Sequence, residues 1–360
     1  MENVLITGSR APIALDLARS FSKFGHKVVM ADSLKFTVAR WSNSVSAYYV
    51  LPSPRFKTLE FVSKIKEIIE KENITHIIPT CEETFYISIY KSEFNCKVWV
   101  SEISILNNLH NKFLFSQFAK DYFQIPETLI LKEFTDWENS KQYVFKSSYS
   151  RFCTSTIINE KIFSTKFTEI EKESVIAQKF IKGKEICVYS IWNKGVMKAY
   201  TAYHSEIRAG KGAGIYFEFI ENLEVKNLVQ HFGKNIEFTG QLSFDVIINE
   251  ENVPFFIECN PRGTSGAHLI NNNLADVFFN DIIIEINNQK TFSIKYAIAL
   301  YKFGSLFKYK IRKSKDVIFS WSDLLPFVLQ TLSLYEISFI KFKNRISLIE
   351  ATTHDIEWNG

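Results

Sequence analysis

Pro254–Gly266 reads PFFIECNPRGTSG. A run of apolar strand formers closes on Glu258 and Asn260, and Arg262 follows just past Pro261. An acid, an amide and a base at the end of such a strand belong at a rim, where they can hold a ligand. Asp245 lies upstream in GQLSFDVII, and the polar stretch NEEN separates the two runs. The pair therefore reads as a hairpin. A turn centred on Glu250–Glu251 sets residue 245 opposite 256 and 243 opposite 258. Side chains alternate along a strand, so Asp245, Phe256, Glu258 and Asn260 are expected on one face. Two carboxylates and an amide oxygen suit magnesium, which takes few protein oxygens and completes its shell with water and phosphate. Two carboxylates this close repel unless a cation lies between them. A solvated hairpin with scattered acids fits poorly, because the strand around Glu258 is apolar.

The rest of the chain supplies a setting for that rim. ENVLIT, HKVVMAD, SAYYVLP, THIIPT and CKVWVS read as strands. Helical periodicity separates them at 11–24, with Leu17, Phe21 and Phe24 on one face, and at 58–72, with Leu59, Val62, Ile65 and Ile69 inward. Strand–helix alternation predicts an α/β fold with a doubly wound parallel sheet, whose ligands sit at the carboxyl ends of the strands. Gly8–Arg10, Asp32 and Thr80–Glu83 fall on that edge. Residues 106–125 read as a helical hairpin. Beyond them the chain turns strand-rich, through QYVFK, SVIAQKFI, EICVYSIWN, VMKAYTAYHS and GIYFEFI. The expected division is 1–105, then 106–275 in two lobes (106–181 and 182–275), then an α/β segment 276–360. The long apolar stretch SWSDLLPFVLQTLSLYEISFIKF near the C-terminus is broken by Asp323, Pro326, Gln330 and Glu336, and reads as a core-packed helix rather than a membrane span.

Phosphate needs cations. Lys146 ends the strand QYVF and opens the hydroxyl-rich loop SSYSRFCTS, which contains Ser148 and Arg151; Lys112 lies in HNKFLF. A polar loop with free backbone N–H groups suits a cover over phosphates. In order along the chain, NK, IPET, the strand ending in Lys146, AQKFIKGKE, GQLSFDV and ECNPR together resemble the ATP-grasp superfamily over about residues 1–275. The resemblance implies an N-terminal parallel-sheet domain followed by a two-lobed α+β ATP-grasp domain. It implies roles for particular residues. Lys112 and Lys146 would contact the nucleotide, with Ser147–Thr154, including Ser148 and Arg151, as the phosphate lid, although this lid lacks the family's usual glycines. Lys179, Phe180 and Ile181 would read adenine through their backbone, and Glu185 would bind ribose. Asp245, Glu258 and Asn260 would bind magnesium, with manganese as the alternative, and Arg262 would stabilise the transferring phosphoryl group. The implied chemistry is ATP-dependent ligation of a small-molecule carboxylate to an amine. Carbamate phosphorylation and a non-catalytic ATP-binding regulator are the alternatives.

Other signals are weaker. Arg208 and Lys211, in the loop IRAGKGAG, could take an acidic substrate, and Arg208 is the second candidate catalytic cation. Glu82, Glu83, His204 and His268 are substrate candidates, each with an ordinary structural role as its alternative. The first turn, G-S-R-A-P, has one glycine where dinucleotide binding asks for G-x-G-x-x-G. AGKGAG has no Ser or Thr after its GK, so it is no P-loop. The net charge of +4, with 43 Lys or Arg against 39 Asp or Glu, gives no reason to expect nucleic acid. Five widely spaced cysteines with no CxxC, and no signal-peptide pattern, point to reduced thiols in a cytoplasm. No membrane partner is expected; the last segment is read as a packed subdomain or a homodimer interface.

Overall fold

The structure is a computed structural model and describes residues 1–149, 157–158, 168–210, 212–270, 273–280, 282–284 and 290–360. The first unit is built from β1 (Asn3–Thr7), α1 (Pro12–Lys23), β2 (Lys27–Asp32), β3 (Ala47–Val50), α2 (Thr58–Glu72), β4 (His76–Pro79), α3 (Glu83–Ile89) and β5 (Lys97–Val98). Its sheet runs β3-β2-β1-β4-β5 and is parallel throughout. Period-two alternation divides the apolar strand residues between two layers. Leu5, Val29 and Ile77 pack with Phe61, Ile65 and Ile68 of α2, while Val4, Ile6 and Met30 pack with Ile13, Leu17 and Phe21 of α1. Two positions expected inward are not: Leu59 is 73% exposed in the first turn of α2, and Phe24 stands past the end of α1.

α4 (Ile103–His110) and α5 (Lys112–Phe118) lead into β6 (Thr128–Ile130), β7 (Tyr143–Ser147), β8 (Ile157–Ile158), α6 (Glu169–Ser174) and β9 (Val175–Lys179). These strands form an antiparallel sheet of order β6-β9-β7-β8 with its own small core of Leu131, Phe134, Tyr143, Phe145 and Ala177. The chain crosses at residues 180–182 into a second, larger sheet. Its elements are β10 (Gly183–Asn193), β11 (Val196–His204), the ribbon β12 (Arg208–Ala209) with β13 (Ala213–Gly214), β14 (Tyr216–Ile220), α7 (Leu223–Asn235), β15 (Gly240–Asn249) and β16 (Pro254–Asn260). Then follow α8 (Ala267–Ile270), α9 (Leu274–Phe279), β17 (Thr291–Ser293), α10 (Lys295–Tyr301), α11 (Tyr309–Lys313) and β18 (Lys315–Asp316). The seven-stranded order is β16-β15-β10-β11-β14-β17-β18, so two short strands of the last segment extend the central sheet.

α7 covers this sheet closely. A Cβ on Gly233 would meet ring carbons of the fully buried Trp192 at 2.4–2.7 Å. Gly233→Ala gains about 1 kcal/mol of helix propensity but forces a wedged indole to move, at about 1–3 kcal/mol. We expect the strain to win, with a net loss read as a lower urea midpoint; an unchanged midpoint would show that α7 can lift off.

α12 (Leu325–Asn344) and α13 (Leu348–Ala351) come last. The helix expected over the long apolar stretch is present, but it is not core-packed. It buries Pro326, Gln330 and Ser333 and turns Leu325, Tyr335, Phe339 and Phe342 outward, at 55%, 70%, 61% and 73% exposure. The Glu336 carboxylate accepts from the N–H groups of Lys35 (2.9 Å) and Phe36 (2.6 Å), which fixes the polar side against the body. Among the described residues no helix is long and apolar enough to cross a membrane.

Candidate functional site

The hairpin β15–β16 has a register different from the one its turn implied. Asp245 lies directly opposite Glu258, and Ser243 opposite Asn260. A bulge beside Asp245 shifts the pairing, so that Val246 meets Phe256 and Ile257 is the extra residue. Bulges bend a strand and re-aim its side chains. Phe256 consequently leaves the acidic face: it is fully buried, stacked on Phe123 at 3.8 Å between ring centroids. Glu258, Asn260 and Asp245 keep the outer face. The bulge is also where the smaller sheet touches the larger, since Gln178 Nε2 donates to the Ile257 carbonyl at 3.3 Å.

Two lysines converge on Glu258. Lys112 Nζ lies 3.3 Å and Lys146 Nζ 3.8 Å from its Oε2. Lys112 is placed by the start of α5, where the Asn111 side chain caps the helix by accepting from Phe113 and Leu114 N–H groups. The Lys112 N–H donates to the Ser148 carbonyl at 3.0 Å, tying α5 to the loop after β7. Burial disfavours charge on Glu258, yet the lysines outweigh it and hold its carboxyl down to about 2. Asp245 goes the other way: burial, and then the neighbouring Glu258 charge, push its carboxyl well above the usual range. Two carboxylates set directly opposite one another mark a place where a cation would be stabilised.

Strand alternation on β10 brings Glu185 and Cys187 to the same face; their ligand atoms and an Asp245 oxygen lie within 4.8 Å of one another. Sequence reasoning did not select Cys187. Its signal was the E-x-C spacing in GKEICVYS, opposite the acid of GQLSFDV. Burial pushes its thiol far up, followed by the Asp245 and Glu185 charges, so it stands as a neutral neighbour. Arg208 pairs with Glu185, and His204 Nδ1 lies 2.9 Å from the Glu185 carbonyl. The run Lys179–Ile181 joins the two sheets. The N–H groups of Lys179 and Phe180 are spent on the Glu127 and Gln142 carbonyls. Ser148 is buried, its N–H donating to Ser174. Arg151, Lys211 and most of the expected lid lie outside the described residues.

Arg262 sits just past the end of β16, beside Asn260. Its Nη2 donates to Asn260 Oδ1 at 3.2 Å, while its buried Nε has no hydrogen-bond acceptor among the described residues, the nearest carboxylate being Glu82 at 4.0 Å. Two substrate candidates have structural partners. Glu83 Oε1 accepts from Thr7 Oγ1, Thr80 N and Cys81 N beneath the Gly8 turn. His268 pairs with Asp16 of α1 at 2.5 Å, away from the acidic face. Glu82 is buried and accepts from the Trp358 N–H at 3.0 Å.

Residues 109–266 match the family profile described as the ATP-grasp domain. The chain carries an ATP-grasp domain. Solved structures share its architecture: N5-carboxyaminoimidazole ribonucleotide synthetase from Thermus thermophilus aligns at TM-score 0.61 and 11% identity over 80% of this chain and 81% of that one. L-amino acid ligase from Bacillus licheniformis aligns at 0.59 and 13% over 81% and 78%. Biotin carboxylase from Campylobacter jejuni aligns at 0.59 and 14% over 76% and 68%. No curated protein sequence matches the chain. These identities speak for the ATP-grasp fold, an N-terminal parallel sheet followed by two antiparallel lobes, rather than for one substrate.

Proposed function

We propose that this ATP-grasp domain is a magnesium- and ATP-dependent ligase that activates a carboxylate as an acyl phosphate for attack by an amine. The observation that carries the reading is the meeting of Lys112 and Lys146 on Glu258, opposite Asp245. Cations for phosphate and oxygens for a hard metal share one face. Lys112 and Lys146 would hold nucleotide phosphates, with Ser148 and Arg151 at the lid. Among the described residues the Ile181 N–H has no backbone acceptor, and it is our choice of adenine donor at the Lys179–Ile181 link. Glu185 would accept ribose hydroxyls in exchange for part of its bond to Arg208. Asp245, Glu258 and Asn260 would hold magnesium or manganese, which neutralises phosphate charge. A carboxylate oxygen attacks the γ-phosphorus and ADP leaves. The amine then attacks the acyl carbon, phosphate departs, and the amine loses a proton. Arg262 faces the position where phosphoryl charge develops; positioning and charge neutralisation do most of the work in such transfers. Glu82, Arg208 and His204 are the groups best placed for substrates.

We read the chain as three units, 1–105, 106–275 and 276–360, the last contributing strands to the sheet of the second. The free thiols of Cys81, Cys96, Cys187 and Cys259 support a cytoplasmic setting. The test is ADP release from Mg-ATP against a panel of amino acids and other carboxylates, alone and in pairs. A specific carboxylate–amine pair should stimulate turnover. Stimulation by bicarbonate with ammonia alone would assign carbamate chemistry, and tight ATP binding with no stimulation would assign a regulator.

A further inference from the structure

α12 is inverted relative to an ordinary surface helix, which buries its apolar stripe. Leu325, Val328, Leu332, Tyr335, Phe339 and Phe342 follow one another at spacings of three and four residues, and all but the half-buried Leu332 are exposed on the side away from the body. Trp321, just before the helix, is 82% exposed. A second apolar set, Leu300, Phe303, Phe307 and Tyr309, stands out between α10 and α11. Exposed apolar surface on this scale marks an interaction face.

Charge selects the occupant. Between Lys295 and Arg345 the sequence has ten Lys or Arg and three Asp or Glu. All three acids are turned inward. Asp316 accepts from the N–H groups of Lys295, Ile318 and Phe319; Asp323 pairs with Arg19; Glu336 accepts from Lys35 and Phe36. Lys302, Lys308, Lys343 and Arg345 are exposed beside the aromatics. Of the acids from elsewhere in the chain, Glu206 pairs with Lys310, and a second copy would still oppose Lys302, Lys308, Lys343 and Arg345 chiefly to cations. Aromatic and aliphatic side chains edged by Lys and Arg instead fit the boundary between acyl chains and anionic headgroups.

We propose that the outer face of α12 rests on an anionic phospholipid surface, lying in its plane without crossing it. This departs from the sequence expectation of no membrane partner, which rested on the want of a clean apolar run of about 18 residues. The full chain should sediment with vesicles of phosphatidylcholine mixed with phosphatidylglycerol and not with phosphatidylcholine alone, and added salt should weaken the binding. Phe339→Ser with Phe342→Ser should lower it tenfold or more, and Lys343→Glu with Arg345→Glu should remove its dependence on anionic lipid. Thermal unfolding should stay unchanged in both variants, because these side chains are largely solvent-exposed. Absence of sedimentation overturns the proposal. A dimer by analytical ultracentrifugation that Phe339→Ser with Phe342→Ser dissociates, without lipid binding, gives the face to a second copy. Equal binding to neutral and anionic vesicles removes the headgroup selectivity.

Discussion

Glu258→Gln should lower magnesium-dependent ATP turnover by at least about 10²-fold, the scale of losing one preorganised electrostatic group, while the protein stays folded. The substitution keeps the shape and removes one charge. That charge is well defined: burial opposes it, Lys112 and Lys146 secure it, and the carboxyl titrates only near about 2. Asp245, raised by burial and by Glu258, is the member of the pair that gives up its charge first as pH falls. A metal held between them would lose its permanently charged ligand in the variant and keep the weaker one. Breaking a fully buried ion pair costs about 3–5 kcal/mol. Glu258 is 24% exposed, so solvent screens the stranded lysines and the expected stability loss is nearer about 1 kcal/mol. Magnesium titration of ADP release, beside thermal unfolding of both proteins, separates the two effects. Full turnover at ordinary magnesium would end the assignment of Glu258 as a ligand.

The sequence made the acid–amide–base rim visible because its signals are local: a strand, a polar turn and residue types with few uses together. The parallel sheet was legible for a similar reason, since its strands are apolar on both faces and bounded by turns. What stayed hidden depends on long-range pairing. The register of β15 on β16 turns on a one-residue bulge at Ile257, and nothing in GQLSFDVII or PFFIECN marks it. Cys187 enters the site only because β10 pairs with β15. The direction of α12 was misjudged because apolar content says that a face must be covered, without saying by what. THDIEWNG, at the end of the segment read as a packed subdomain or dimer interface, lies across the carboxyl ends of the parallel strands. Trp358 stacks on Phe85 with 4° between the ring planes and donates from Nε1 to Asn107 at 2.8 Å.

That tail explains a second large expected effect. Arg10→Met should release residues 352–358 and lower stability by about 3–5 kcal/mol at neutral pH, the cost of stranding buried carboxylates. Arg10 is 6% exposed at its side chain and serves two acids. Its Nε and Nη2 reach Asp32 at 3.0 and 2.6 Å; its Nη1 and Nη2 reach Asp355 at 2.6 and 2.8 Å. The two acids are held differently. Asp32 keeps backbone donors from Arg10 and Leu34, whereas Asp355 leans on the guanidinium and the Ser33 hydroxyl. Local opening is thus the cheaper response, and the loss should fall toward the lower figure. Burial disfavours the Asp355 charge, but Arg10 overrides it and brings the carboxyl to about 2. A carboxyl depressed on folding stabilises above its ordinary value near 4 and loses that contribution as pH falls through about 2. Wild-type residues 352–358 should therefore stay protected at neutral pH and open in acid, while in Arg10→Met they exchange amide hydrogens rapidly at neutral pH already. Arg10→Lys should fall between, because one ammonium cannot serve two carboxylates in a fork. Unchanged protection of Trp358 in Arg10→Met would mean that the other anchors hold the tail without it: the Phe85 stack, the bonds to Asn107 and Glu82, and the Arg55–Glu357 pair. Rapid exchange would show that Glu82, which accepts the Trp358 N–H beside Arg262, is uncovered by breaking an ion pair rather than by moving a lobe.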